Sequence, residues 1–527
     1  MAHLMLMRRR LSILFGLVFS LILLRGLFLV GYEPVRSDSY LWGAFHVHST
    51  LSDGLAPLEE IARQARDARV DFVFLSDHGP PHPEAALLNE TVGGVRFIGG
   101  SEVGLPEGHL IVSDVASLPN YHLPPFPPDA AAEARAWGGF SVLTYPEDPT
   151  ERWLYWEEDF VPDGIEIINV TSYFRASSHW TKLAWAVFSL FNRFYYISSF
   201  EPPTYALERW DALLERGDVF AVFAANAHGG FPLTKDLTIG VPSYETAMGF
   251  VGLGIEPRFK DAPEEAIRQG EFFAIVRGAG EPRRFAFTRS DTDDTLRVIV
   301  DVDVDDLAPR LVLKRNGAVV AETEEGELVH PVREPGIYRA EVYLRDHELL
   351  DPSVPWILSN AIRVDADPVL AASLELQCDA VDAIDLEELA VEKDDASTAS
   401  LEGSLELSYH LSQATPDDIN RWVALARRKP FDLSDYRGIY LEAASPEPMR
   451  YWLELRAGER SYYASFKLEG HGVDRVTIPW RQFYAMFGGR EEIPLSEIDA
   501  LFITVNTSNS RTGFSSELRL QKLGACR

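Results

Sequence analysis

Residues 43–79 read GAFHVHSTLSDGLAPLEEIARQARDARVDFVFLSDHG, and this stretch constrains the fold more than any other part of the chain. His46 and His48 lie two apart on a short apolar segment, so on a strand both imidazoles leave one face. Asp53 follows in a Ser-Asp-Gly turn. Leu58, Ile61, Ala62, Ala65 and Ala68 are then spaced for one buried helical face. A second apolar strand, 71–75, delivers Asp77 and His78 at its C-terminal end. Strand, ligand cluster, helix, strand, ligand cluster is how a β/α barrel assembles a metal site at one mouth.

Further ligands occur in the same register. The apolar run 95–98 leads through Gly99 and Gly100 to Glu102, and His109 opens the run HLIV. Much later, 218–224 forms an apolar strand ending in Asn226-Ala227-His228. Histidines and carboxylates at strand ends suit one or two divalent ions of zinc, manganese or iron; a shell without cysteine argues against a purely structural zinc site.

The motifs HVHSTLSDG, SDHG, GSEV, GHLIV and ANAHG, in this order and spacing, resemble the polymerase and histidinol phosphatase (PHP) metallohydrolases. The nearest pattern is their extracytoplasmic CehA/McbA-type branch, and the likeness covers roughly residues 40–365. YALERWDALLERGDVF, Pro242-Ser243-Tyr244 and EEAIRQGEFFAIVRG extend it. The resemblance implies a distorted (β/α)7 barrel that holds metals and hydrolyses phosphoesters, or carbamate, amide or other ester bonds. Its metal shell maps onto His46, His48, Asp53, His78, Glu102, His109, Asn226 and His228, with His228, Asp77 and Tyr145 as catalytic candidates.

Two positions depart from that pattern. Tyr145-Pro146 stands where the family has His-Pro, and Asn226 where it has aspartate. A phenol with a pKa near ~10 ligates only if a metal lowers that value, and asparagine keeps an oxygen but loses the charge. Fewer than three tightly bound metals are therefore expected. A small anionic substrate fits such a centre, and a degenerate, non-catalytic scaffold is the alternative.

Arg8-Arg9-Arg10 precedes fourteen uncharged, mostly apolar residues, 11–24; after Arg25 the apolar character resumes to Val30. With Arg25 tolerated, the segment reaches the ~20 residues needed to cross ~30 Å. No small-x-small cleavage site follows, so residues 1–37 read as an uncleaved signal anchor with the remainder exported to the periplasm or cell surface, a cleaved signal peptide being the alternative. With 527 residues, 46% of them hydrophobic, the chain can form two or three cored domains, and a net charge of −31 opposes binding to polymeric nucleic acid.

The metallohydrolase barrel is assigned to 38–283 and a small β-sandwich to 284–368, from TLRVIVDVDVDD, PRLVLKRNGAVVAET and GIYRAEVYLRD. Asp301, Asp303, Asp305 and Asp306 in that region read as a calcium site or as the solvated face of a strand. The acidic run 379–395 reads as charged surface or loop. Residues 369–527 resemble the galactose-binding-like jelly rolls of complex I intermediate-associated proteins and family-11 carbohydrate-binding modules, on the strength of Asp435-Tyr436-Arg437-Gly438, VTIPWRQFY and SEIDALFITVN. Trp452, Tyr462, Tyr463, Trp480 and Tyr484 there serve either as a glycan-stacking surface or as core. Residues 180–200, with only Lys182 and Arg193 charged, read as a lid helix packed on the barrel or as an interfacial helix. The two cysteines, Cys378 and Cys526, bracket the last domain, and pairing of its first and last strands would bond them.

Overall fold

The computed structural model describes residues 20, 26, 29–234, 237–239, 242–290, 292–302, 307–369, 376–403, 405–415, 418–486 and 491–527, without side chains over 231–241. The apolar run 11–24 lies almost wholly outside the described residues, and Asp303, Asp305 and Asp306 lie outside them too. Asp301 is described, and its carboxylate pairs with Arg283 at 2.6 Å. Among the described residues, no helix is long and apolar enough to cross a membrane.

Strands β1 (Leu41–Val47) and β2 (Phe72–Leu75) pair in parallel, joined by helix α1 (Leu58–Asp67). The helix forms as its spacing requires: Ile61, Ala62 and Ala65 face the sheet, while Arg63 bonds Glu60 and Asp67 in solvent. A two-residue strand, β3 (Asp77–His78), pairs in parallel with β4 (Gly100–Leu105). The chain then turns back as β5 (Gly108–Ser113) and continues through β6 (Phe140–Leu143), β7 (Gly164–Asn169) and β8 (Phe220–Ala224) in a six-stranded sheet. β4–β5 and β5–β6 are antiparallel, β6–β7 and β7–β8 parallel. Backbone bonds close this sheet onto the one holding β1 and β2. At one seam Ala225 N donates to Phe45 O, Ala227 N to His46 O and His48 N to Ala227 O; at the other Glu102 N donates to Ser76 O. The result is a mixed α/β assembly with barrel-like closure.

The residues after 283 do not stand apart as a separate sandwich. Arg284–Ser290, Thr295–Asp301 and Glu327–Pro331 make a small antiparallel sheet. Pro309–Arg315, Ala318–Thr323 and Gly336–Leu344 instead extend the sheet of β1, through Ile357–Ser359 paired against Phe272–Ile275. One hydrophobic core accordingly runs from Leu29 to Val364 and takes in Tyr484 of the last domain. Exclusion of water from β-branched strand faces, rather than the Asn-Gly and Pro-Gly turns, decides where that unit ends.

A second core, from Leu389 to Ala525, fills two six-stranded antiparallel sheets that form the jelly roll. Tyr462 and Tyr484 are fully buried, whereas Trp452, Tyr463 and Trp480 are half-buried. The acidic run 379–395 contributes two short strands, Val381–Ala383 and Ala390–Lys393. Cys378 and Cys526 are bonded, as expected from their placement. The jelly roll sits directly on the barrel. Glu133 of helix α2 (Pro127–Ala136) is buried against Arg450 at 2.7 Å and Lys467 at 3.2 Å, and Ser510 Oγ donates to Asn120 O at 2.6 Å.

Candidate metal centre

His46 lies in β1 where its register with β2 shifts, and takes a left-handed backbone (φ 66°). His48 follows just beyond the strand end, and both imidazoles are wholly buried with ring centroids 5.0 Å apart. The shared face expected of an i, i+2 pair is thus reached through a bulge. Tyr145 (φ 56°) and Asn226 (φ 44°) adopt the same rare conformation nearby, with Asn226 Nδ2 donating to the Tyr145 hydroxyl at 3.0 Å. Strained non-glycine backbone clusters where side chains must be aimed at one point.

That point is Glu102, at the start of β4 and 1% exposed. Its Oε2 lies 3.2 Å from His46 Nε2, 3.4 Å from His48 Nε2 and 3.5 Å from His78 Nδ1; its Oε1 lies 2.9 Å from His109 Nδ1. Asp53, half-exposed at the mouth, lies 3.4 Å from His48 Nδ1, 3.6 Å from His78 Nε2 and 3.3 Å from His228 Nε2. Three overlapping donor groups result: His46, His48 and Glu102; His48, Asp53, His78 and His228; and His78, Glu102 and His109.

These donors fit divalent cations. Both ring nitrogens of His48, together with Glu102 Oε1 and His109 Nδ1, are buried and make no well-aligned hydrogen bond, facing instead the other donors of the cluster. Buried polar atoms without well-aligned partners are rare in a folded core, and here they converge. The ion-pair partners of Glu102 and Asp53 are all histidines among the described residues. A buried carboxylate such as Glu102, with no lysine or arginine beside it, suits a cation within the cluster.

The surroundings orient the ligands. His46 Nδ1 bonds Glu166 Oε1 at 2.6 Å, turning Nε2 toward Glu102. His228 Nδ1 meets the Asn226 carbonyl at 3.2 Å, leaving Nε2 for the Asp53 side. Carboxylate or carbonyl behind the distal nitrogen is the usual support of a metal-bound imidazole. Burial alone would make His46 less basic, but Glu166 and Glu102 outweigh it and push its pKa up to about 10. Burial likewise opposes ionisation of Asp53, yet hydrogen bonds to His228 and His78 hold its carboxyl far below the usual range. His48, buried and beside His228 and His46, is pushed well below its ordinary value and is neutral.

Asp77 is the catalytic candidate that does not join the cluster. Adjacent residues of a strand face opposite ways, so when His78 enters the site Asp77 turns from it. Its Oδ1 accepts from Ser49 N at 2.8 Å and Ser52 Oγ at 2.7 Å, which fixes the loop carrying Asp53. Glu166 was not recognised from sequence. Its signal is a lone carboxylate inside the otherwise apolar strand GIEIIN, where it is fully buried, and Asn169 Nδ2 donates to its Oε2 at 2.8 Å.

Tyr145 faces the cluster, its ring 5.7 Å from that of His46 and 5.6 Å from that of His109. Burial, then the charges of Glu102 and Glu166, hold the phenol well above its ordinary pKa, so it is neutral. Histidine tolerates the left-handed backbone of this position. Tyr145→His is expected to raise the metal-to-protein ratio in elemental analysis of the purified chain. An unchanged ratio would show the tyrosine to be a neutral departure.

No protein-family model matches the sequence, and no curated protein matches it. Among solved structures, the chain is similar to a two-domain protein from Bacteroides vulgatus described as containing a predicted PHP-like metal-dependent phosphoesterase. Identity is 15%, the match covers 63% of this chain and 100% of that one, and the TM-score is 0.29. It is also similar to a family 11 carbohydrate-binding module from Clostridium thermocellum, at 11% identity over 28% of this chain and 95% of that one, with a TM-score of 0.22.

Proposed function

We propose that this chain is an exported, membrane-anchored, metal-dependent hydrolase acting on phosphoesters. The carrying observation is the convergence of five histidines on Glu102 and Asp53, with buried donor atoms that make no well-aligned hydrogen bond. His46, His48 and Glu102 would hold one ion; Asp53, His78 and His228 a second, with His109 beside Glu102. Divalent ions held there supply Lewis acidity and lower the pKa of a bound water toward ~7. The protein's own groups do the positioning. Glu166 and the Asn226 carbonyl fix His46 and His228, and Asp77 fixes the Asp53 loop. The Tyr145 hydroxyl, already accepting from Asn226, keeps its own proton for a substrate oxygen. His78 and Asp53, the more exposed members, mark the side from which substrate enters.

Elemental analysis of the purified chain, with a screen of phosphomonoesters, phosphodiesters and carboxyl esters after loading with zinc, manganese or iron, tests this reading. Bound metal with phosphoester turnover is expected. Turnover of carboxyl esters or carbamates alone would reassign the bond cleaved, and folded protein that takes up no metal would make the barrel a scaffold.

The chain enters the fold beside an apolar surface helix. Leu29 is buried, and Asn192 Nδ2 donates to the carbonyls of Leu29 (3.0 Å) and Tyr32 (2.6 Å). Asn192 lies just past helix α3 (His179–Phe188), on which Trp180 is 80% exposed and Leu183 is also exposed, with Leu190 exposed beyond it. The helix packs Trp185 and, in part, Phe188 on the barrel core, and leaves Trp180 and Leu183 outside. We propose that this face meets the bilayer where the N-terminal segment leaves it. In full-length protein reconstituted into vesicles, brominated lipids are expected to quench a tryptophan signal that Trp180→Phe removes. Identical quenching in the two proteins would place the helix in water.

A further inference from the structure

A cavity of about 710 Å³ lies where the jelly roll meets the barrel, a size typical of ligand pockets and a usual location for them. On the barrel side its wall includes Gly79, Val103 and Gly104. Gly104 borders the metal centre, since a Cβ there would stand 4.0 Å from His109 Cε1, while Gly79 and Val103 are the chain neighbours of His78 and Glu102; none of the ligands themselves lines the cavity. The opposite wall is the outer face of a jelly-roll sheet, with Trp452 and Tyr463 as its largest side chains.

Those two rings are half-buried and meet edge to face, centroids 4.9 Å apart at 87°. The indole is pinned by hydrogen bonds from Nε1 to Asn506 Oδ1 (3.1 Å) and Ser508 Oγ (2.9 Å). A fixed aromatic corner flanked by amide and hydroxyl groups matches the apolar faces and polar rim of a sugar ring. His122 supplies an independent sign of a ligand. It is 7% exposed, lines the cavity, bonds the Ser508 backbone, and has a ring Nδ1 with no hydrogen-bond partner. Burial lowers its pKa to about 4, so the ring is neutral and can accept from a hydroxyl.

Charge narrows the ligand. The described lining contains no lysine or arginine, and its acidic residue Glu454 is engaged by Arg456 at 2.8 Å. An anionic group would find no lysine or arginine on this wall, Arg511 acting on His122 from behind it, while the metal centre next to it would offer a cation once loaded. Resting on the hydrolase reading above, we propose that the junction cavity is a saccharide subsite of the metal centre. The substrate is then a glycan-linked ester: its neutral sugar lies against Trp452 and Tyr463, and its scissile ester reaches the ions.

The test uses the full metal-loaded chain, titrated calorimetrically with neutral hexasaccharides of glucose, mannose, xylose, galactose and N-acetylglucosamine. At least one is expected to bind, with affinity reduced ten-fold or more in Trp452→Ala and in His122→Phe, while metal content and melting temperature are unchanged. Hydrolysis of a hexose phosphate is then compared with that of p-nitrophenyl phosphate. Trp452→Ala is expected to raise KM for the sugar ester and leave the aryl ester unaffected. No binding by any of the saccharides, or binding indifferent to both substitutions, overturns the subsite. Binding that follows the substitutions in a chain that hydrolyses neither ester retains the subsite and removes the hydrolase reading instead.

Discussion

Glu102→Ala is expected to release bound metal and to reduce hydrolysis by more than the roughly 10–100-fold typical of losing an outer-shell partner. Glu102 lies within 3.5 Å of donor atoms on four histidines, and two of the three donor groups contain it. Glu166→Ala should fall inside that range, because Glu166 acts on the donor groups from behind His46 and is not itself a member of them. The fold should survive both changes. Each removes one partner of the buried His46 imidazole, so circular dichroism should keep its shape while the melting temperature of metal-free protein falls. Elemental analysis with kcat measured on each variant separates the two roles. Equal losses for Glu102→Ala and Glu166→Ala, with metal retained in both, would remove Glu102 from the shell.

The legible part of this site was the part whose chemistry lies close together along the chain. His46, His48, Asp53, Asp77 and His78 fall within one strand–helix–strand unit, where period-2 and period-3.6 patterns fix which faces agree. Two details escaped those patterns. β1 reaches the metal side through a bulge at His46, and bulges leave no mark in hydrophobic alternation. Asp77 sits beside a true donor, yet strand pleating sends it to Ser49 and Ser52.

Long-range features were less visible for a different reason. Glu166 stands 120 residues from His46, and only the closed sheet brings them together. The strands of 309–344 were legible as strands, but their attachment to the barrel sheet through Ile357–Ser359 depends on which apolar edge is left uncovered. Helix α3 shows the limit of composition. Its sequence is apolar enough for a buried lid, and the structure leaves Trp180 and Leu183 outside. The junction cavity could not be read at all, since Trp452 and His122 come from different domains.

Opening the Cys378–Cys526 bond is expected to cost the jelly roll roughly 5 kcal/mol, since closing a loop of 148 residues removes about that much chain entropy from the unfolded state. For a domain of this size such a change lowers Tm by about 10–20 °C. The geometry makes the bond matter locally as well. Cys526 ends the long strand Phe514–Cys526, where it is paired with both Val381 and Gly438. The strand Val381–Ala383 has only three residues, none of them fully buried, and the bond adds to its pairing with Gly524–Cys526 and to the hydrogen bonds of Asp382 with Tyr436 and Arg527. Thiol titration of unreduced, unfolded protein should find no free thiol; two per chain would deny the bond. Calorimetry of Cys378→Ser/Cys526→Ser should then show the jelly-roll transition shifted while bound metal stays constant, because the metal centre belongs to the other hydrophobic core. A shift below about 3 °C, with exchange at 381–383 alone accelerated, would mean that the short strand frays without loading the domain.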